Sequence, residues 1–77
     1  MNTSKWGPGG WELLHVLAAR YVPTKRTAQL YRAFFTHLQN ILPCKHCRAS
    51  YKQYIHELPV EPWLQSTWGM SRFVYLM

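Results

Sequence analysis

Residues 42–47 read Leu42-Pro43-Cys44-Lys45-His46-Cys47, a CxxC unit that follows a proline. After this unit the apolar side chains recur at the spacing of one helix face, at Cys47, Tyr51, Tyr54, Ile55 and Leu58. Pro43 interrupts any preceding helix, and two more prolines, Pro59 and Pro62, end the pattern. The segment therefore predicts a helix that starts around Cys44, with both cysteines at its N-terminus.

The CxxC unit contains all the cysteine of the chain, and its surroundings favour redox chemistry. Two cysteines three residues apart can close a disulfide and reopen it. A helix N-terminus and neighbouring cationic groups, here on Lys45, His46 and Arg48, favour the reactive thiolate over the thiol. The spacing also predicts that Cys47 begins the buried stripe, whereas Cys44 lies a turn earlier, more exposed and available to a partner.

Three other interpretations of the cysteines stay open at this point. A structural disulfide across three residues would constrain the unfolded chain little. A zinc site is possible because CxxC is a common half-site and His37, His46 and His56 lie nearby, although no second CxxC or HxxxH unit follows. The pair could also be chemically inert.

Composition and charge narrow the class of protein. Seventy-seven residues, 48% hydrophobic and 16% aromatic, are too apolar for a disordered chain and suit one small domain. Nine Lys and Arg residues against three Glu give a formal net charge of +6. A basic surface of this kind suits nucleic acid, an acidic protein or an anionic cofactor, but the basic residues are spread along the chain, so we expect no nucleic-acid partner.

The apolar periodicity predicts an all-α fold, a small four-helix bundle with the CxxC at the N-terminus of the third helix. We expect an irregular lead-in over residues 1–10 and helices over about 10–21, 24–41, 44–58 and 63–77. On the first helix Trp11, Leu14, His15, Ala18 and Ala19 share one face, which predicts a buried histidine at His15. The second has a broad apolar face. The fourth has Met70, Phe73, Val74 and Met77 at helical spacing and ends in mid-pattern.

These residues carry a resemblance to a known family. Trp6-Gly7-Pro8, then Trp11 and His15, and some thirty residues later Leu42-Pro43-Cys44-Lys45-His46-Cys47 with Tyr51, resemble the Erv/ALR family of FAD-linked sulfhydryl oxidases. The resemblance covers about residues 6–59 and extends less clearly over residues 63–77. The small size, without extra shuttle cysteines, is similar to that of the virus-encoded members.

The resemblance implies a function and a site. The family folds as a helical bundle that holds FAD, usually as a homodimer. Cys47 matches the cysteine nearest the flavin, and Cys44 matches the interchange cysteine that accepts electrons from a protein dithiol. The electrons then reach molecular oxygen and give hydrogen peroxide. The residues implied to bind FAD are Trp6, Gly7, Trp11, His15, Cys47 and Tyr51. No metal is implied.

The resemblance also implies a His-Asn-x-x-x-Asn flavin motif in the fourth helix, which would begin where the 77 residues end. We therefore expect residues 1–77 to be a single domain truncated at its C-terminus. The first ten residues lack the apolar segment of a secretory signal, and no stretch approaches the roughly 18 apolar residues of a membrane helix. The implied location is the host cytoplasm or virion for a viral protein, and the mitochondrial intermembrane space for a cellular one.

Two rival functions remain open from the residues themselves. One is a flavin-free thiol–disulfide carrier in which the bundle presents Cys44 to partners. The other is a zinc-binding or basic interaction module that uses Cys44, Cys47 and two histidines.

Overall fold

A computed structural model of the chain describes residues 6–77, which fold into four α-helices and one short 3-10 helix. The elements are α1 Gly7–Ala19, α2 Lys25–Ile41, α3 Lys45–Glu57, the 3-10 helix Glu61–Gln65 and α4 Thr67–Leu76. The predicted all-α fold with the CxxC unit at the start of the third helix is confirmed. None of the helices within residues 6–77 is long and apolar enough to cross a membrane.

Three helices begin at a side chain that caps the helix end. The Oγ1 of Thr24 accepts the N–H of Thr27 at 3.1 Å at the start of α2. At the start of α4, the Oγ of Ser66 accepts the N–H of Gly69 at 2.9 Å. In α3 this position is held by Cys44. The caps at Thr24 and Ser66 are each worth about 0.5–2 kcal/mol. The second and third helices start within a residue of the predicted positions.

The first helix begins and ends earlier than predicted. It starts at Gly7 rather than Gly10, because the fixed φ of Pro8 suits the first turn, where its missing N–H costs nothing. It ends at Ala19, so that Tyr21 leaves the helix and becomes buried, with its hydroxyl donating to the carbonyl of Leu64 at 2.7 Å. The remainder of the predicted lead-in, residues 1–5, lies outside the described residues.

The predicted fourth helix is divided into two elements. Residues 61–65 form the 3-10 helix, with Pro62 near its start, and the chain straightens at Ser66 before α4 begins. The apolar face predicted for α4 is confirmed at Met70, Phe73 and Val74, which are all buried.

Two pairs of helices pack side by side, α1 with α4 and α2 with α3, and a cluster of aromatic rings joins the pairs. Phe73 of α4 lies at its centre. The centroid of its ring lies 5.5 Å from that of Phe35, in an edge-to-face arrangement. The corresponding centroid distances to Tyr54 and Trp63 are 5.6 Å and 6.5 Å. Contacts of this kind contribute about 0.5–1.5 kcal/mol each beyond the burial of their area.

Tyrosine hydroxyls add hydrogen bonds between the elements. The hydroxyl of Tyr31 donates to the carbonyl of Leu17 at 2.7 Å, and that of Tyr54 to the carbonyl of Phe73 at 2.7 Å. On the surface, the guanidinium of Arg32 holds both carboxylate oxygens of Glu61 and so ties the 3-10 helix to α2.

The apolar face predicted for α1 is only partly correct. Ala18 is buried and Leu14 is half-buried, but Trp11 is 44% exposed and His15 is exposed, so the prediction of a buried histidine is wrong. The physical reason is that, within residues 6–77, the close backbone contacts of α1 with other helices are all with α4, so one side of α1 faces the core. The adjoining side faces an open cavity, described below.

Candidate active site

The CxxC unit is built around the N-terminus of α3. Cys44 is the N-cap residue, in extended conformation with φ −108° and ψ 126°, and its Sγ accepts the backbone N–H of Cys47 at 3.4 Å. The carbonyl of Cys44 accepts the N–H of Arg48 at 2.9 Å as the first bond of the helix. Both cysteines are free thiols.

The predicted exposures of the two thiols are reversed in the structure. Cys44 is buried, with 8% of its surface exposed, whereas Cys47 is half-buried. The prediction placed Cys44 on the helix face one turn before Cys47. As an N-cap, however, Cys44 is not helical, and its side chain turns back over the first turn to reach the N–H groups there.

Hydrogen bonding makes the two sulfurs chemically different. The Cys47 thiol donates to the Cys44 sulfur, and the backbone N–H of Cys47 adds a second donor, so the pKa of Cys44 lies below its ordinary value. The same thiol hydrogen bond, with desolvation, raises the pKa of Cys47. Of the two thiols in the reduced pair, Cys44 therefore loses its proton more readily and Cys47 keeps its proton more firmly.

A cavity of about 600 Å³ lies between α1 and the α2–α3 pair, and Cys47 opens onto it. Its wall is mainly aromatic and aliphatic. It is lined by Trp6, Gly7, Gly10, Trp11, Leu13, Leu14, Phe34, Leu38, Leu42, Pro43, His46, Cys47, Ser50, Tyr51, Tyr54 and Met77. Cys44 is not in this lining, so the two thiols have different neighbours.

The structure brings five of the six predicted cofactor-binding residues to this cavity: Trp6, Gly7, Trp11, Cys47 and Tyr51. His15 is not among the lining residues. Its ring is tilted against that of Trp11, with 6.2 Å between the ring centroids, and it is exposed. A role for His15 in the cavity as described is therefore not supported by the geometry.

Several residues that line the cavity were not predicted from the sequence. Phe34 and Leu38 come from α2, and His46, Ser50 and Tyr54 from α3. The spacing of 46, 50 and 54 is that of one helix face. The apolar stripe of α3 contains Tyr54 but neither His46 nor Ser50, and spacing alone does not distinguish a core from a cavity wall.

The cavity suits the flavin ring system. The indole N–H of Trp6 is buried and has no hydrogen-bond partner within residues 6–77, and Trp6 lines the cavity. A flat heteroaromatic ring with acceptor atoms would satisfy this donor and pack against the tryptophan and tyrosine side chains. By contrast, the described lining contains no Lys or Arg to pair with a pyrophosphate.

A zinc site would need further ligands around the cysteines. In the part of the chain that the structure describes, no three His, Cys, Asp or Glu side chains come close enough together to hold a metal ion. The zinc-module hypothesis therefore has no geometric support there.

Comparison with known proteins agrees with the motifs. The sequence model of the Erv1 / Alr family matches residues 8–76. A curated relative, described as a probable FAD-linked sulfhydryl oxidase of Acanthamoeba polyphaga mimivirus, is 32% identical over 62 residues. The match covers 78% of this chain and 43% of the relative, so the chain spans less than half of that protein's length. No solved structure matches the chain.

Proposed function

This chain belongs to the Erv1/Alr family, and we propose that its 77 residues belong to one sulfhydryl oxidase domain that uses FAD to oxidise thiols. In this proposal Cys44 and Cys47 accept electrons from protein dithiols, and molecular oxygen is the final acceptor and becomes hydrogen peroxide. The observation that carries the proposal is the position of Cys47, which lines an aromatic cavity while its partner Cys44 lies outside that lining.

The chain's own part in the reaction is thiol–disulfide exchange. With the pair oxidised, a substrate thiolate attacks the Cys44 sulfur, the bond between Cys44 and Cys47 breaks, and Cys47 leaves and takes up a proton. The second substrate thiol then attacks the substrate sulfur of the mixed disulfide, and Cys44 leaves. Its lowered pKa makes Cys44 a good leaving group. The substrate has lost two electrons and two protons. The pair holds both electrons and, on Cys47, one proton, while the other proton passes to solvent because Cys44 leaves as the thiolate.

The cavity residues would hold the cofactor beside Cys47. Trp6, Trp11 and Tyr51 offer ring surfaces for packing, and the indole N–H of Trp6 offers a donor that is otherwise unpaired within residues 6–77. FAD, when bound, takes the two electrons from the dithiol and passes them to oxygen. Once a cofactor fills the cavity, the apolar wall would offer water few groups to bind near the reacting atoms.

The test is a visible absorbance spectrum of the purified chain with and without added FAD, followed by oxygen consumption with dithiothreitol. We expect these 77 residues to bind added FAD only weakly, and dithiothreitol to bleach the bound fraction without oxygen. Cys47→Ser should bind flavin but abolish bleaching. Cys44→Ser is the matched control, because it stops exchange with protein dithiols but leaves Cys47 beside the cavity. A chain that exchanges thiols and neither binds flavin nor consumes oxygen would instead be a flavin-free carrier.

The proposal includes a homodimer. It is supported by apolar side chains that α1 leaves at the surface, since Leu13 is 56% and Val16 is 50% exposed. Val16→Glu should lower the mass found by sedimentation equilibrium from dimer to monomer. Leu30→Glu, at a similarly exposed site on α2, is the control and should leave the mass unchanged. A wild-type chain that sediments as a monomer over the micromolar range would contradict this part.

A further inference from the structure

One face of α3 carries a row of basic side chains, which we name the basic stripe: Lys45, Arg48, Lys52 and His56. Their spacings of three and four residues put them within an arc of about 80° at 3.6 residues per turn. The side chains at 45, 52 and 56 are exposed, and the one at 48 is half-buried. The cavity-lining residues of α3 lie on the opposite side of the helix.

The basic stripe has no acidic partner within residues 6–77. The guanidinium of Arg48 donates to the carbonyl of Leu42 at 2.5 Å, which positions it but leaves its charge uncompensated. The chain has three acidic side chains. Glu61 is paired with Arg32, Glu57 accepts from Gln53, and Glu12 lies on α1. The chain therefore offers no acidic segment of its own to cover the stripe.

The stripe begins at the residue after Cys44, where the substrate thiol must arrive. Its four residues extend over about 17 Å of helix, a length that about five residues of an extended peptide would cover. We propose that the basic stripe docks an acidic segment of the substrate, so that the substrate is a protein whose reactive cysteines are followed by Asp or Glu residues. This inference rests on the proposed function, because it takes the CxxC pair as the acceptor of the substrate's electrons.

A surface of this kind acts mainly on the rate of encounter. Charges that complement one another across an approach path raise association rates by about 10-fold to 1,000-fold. The effect weakens with salt because the screening length falls from about 10 Å at 0.1 M to about 3 Å at 1 M. An acidic segment therefore should speed exchange at low salt and lose its advantage at high salt.

The experiment measures single-turnover exchange between the oxidised chain and reduced peptides, so that it does not depend on flavin. Each peptide contains a Cys-x-x-Cys unit followed by five residues that include either three Glu or three Lys. We expect the Glu peptide to reduce the Cys44–Cys47 pair at least about 10-fold faster than the Lys peptide at 50 mM salt, with the preference nearly lost at 1 M.

Lys52→Glu tests the stripe directly, because the side chain is exposed and lies two helical turns from Cys44. We expect it to reduce the preference for the Glu peptide at least about threefold, and Lys52→Gln to have a smaller effect in the same direction. Lys25→Glu is the matched control. It makes the same change of charge at an exposed site at the far end of α2, about 25 Å away along that helix, and should leave the preference unchanged.

Equal rates for the two peptides at low salt, or an equal effect of Lys52→Glu and Lys25→Glu, would overturn the proposal. A third result would also overturn it: duplex DNA binds the wild-type chain but not the Lys52→Glu variant, and the two peptides exchange at equal rates. The basic stripe would then be a nucleic-acid surface. Oxygen consumption with dithiothreitol tests the thiol oxidase activity separately. If the chain consumes no oxygen but still exchanges faster with the Glu peptide, the proposed function is rejected and the docking surface is retained.

Discussion

Replacing Phe73 by alanine should strongly destabilise the fold, although Phe73 is not one of the residues proposed to react. Phe73 is fully buried in α4 and packs on rings from α2, α3 and the 3-10 helix. The close backbone contacts pair α1 with α4 and α2 with α3, so this ring is a main link between the two pairs. Its removal leaves a void that the separate pairs cannot easily close.

The expected fall in melting temperature follows from the size of the phenylalanine side chain and from the length of the protein. Truncation of a buried Phe to Ala costs about 3–5 kcal/mol. A chain of this length has a total stability of about 4–12 kcal/mol, at 0.05–0.15 kcal/mol per residue. Each kcal/mol shifts the melting temperature of a domain of this size by about 4–8 °C. We therefore expect Phe73→Ala to lower the melting temperature by at least about 12 °C.

The assay is thermal unfolding followed by far-ultraviolet circular dichroism, with Tyr75→Ala as the control. Tyr75 lies two residues further along α4 and is 73% exposed, so its truncation should cost no more than about 0.5 kcal/mol. Flavin affinity gives a second readout, because α4 holds α1, and α1 supplies the tryptophan side of the cavity. If Phe73→Ala melts within about 5 °C of the wild type, the aromatic cluster does not join the helix pairs as argued.

Two further predictions concern backbone space and tyrosine ionisation. Gly69→Ala should lower the free energy of unfolding measured in urea, although alanine favours helices, because its Cβ would lie 2.7 Å from the carbonyl oxygen of Trp63. Gly9 has open space around it, so Gly9→Ala should be neutral or stabilising by up to about 1 kcal/mol. An equal effect of the two substitutions would contradict this explanation. Burial raises the pKa of Tyr54 to about 12, so its neutral form stabilises the fold fully below pH 10 and this contribution is lost as the pH rises toward 12. Alkaline unfolding should therefore accompany tyrosine ionisation in a spectrophotometric titration, and ordinary tyrosine titration of a fully folded chain would refute the burial argument.

The helices were predictable wherever a local signal fixes them. Thr24, Pro43 and the apolar period of α3 act within a few residues, and the predicted and observed ends of α2 and α3 agree within about a residue. The division of the fourth segment was missed because a serine cap at Ser66 and a proline inside a 3-10 helix carry weaker signals than a run of apolar residues.

The exposure of individual side chains was less predictable, because it depends on which helices pack together. Periodicity gives α1 an apolar face but does not predict that, within residues 6–77, its close backbone contacts with other helices are all with α4. Trp11 therefore reads as core and lines a cavity instead, while His15 reads as buried and is exposed. The motif of the family pointed to five residues of the cavity, Trp6, Gly7, Trp11, Cys47 and Tyr51, since it reflects the site rather than the local period.

The use of cysteine as a helix cap links the fold of α3 to its chemistry. The N–H of Cys47 needs an acceptor at the helix end, and the Cys44 sulfur that accepts it is stabilised as a thiolate by the same bond. The positive end of the helix dipole favours that charge as well. Once the sulfur forms a disulfide the charge is gone and the interaction weakens, so the cap favours the reduced pair over the oxidised one. A pair whose reduced form is stabilised accepts electrons readily, which makes its disulfide a stronger oxidant of other thiols. The placement of Cys44 at the N-cap thus favours the direction of electron flow that oxidation of a substrate dithiol requires.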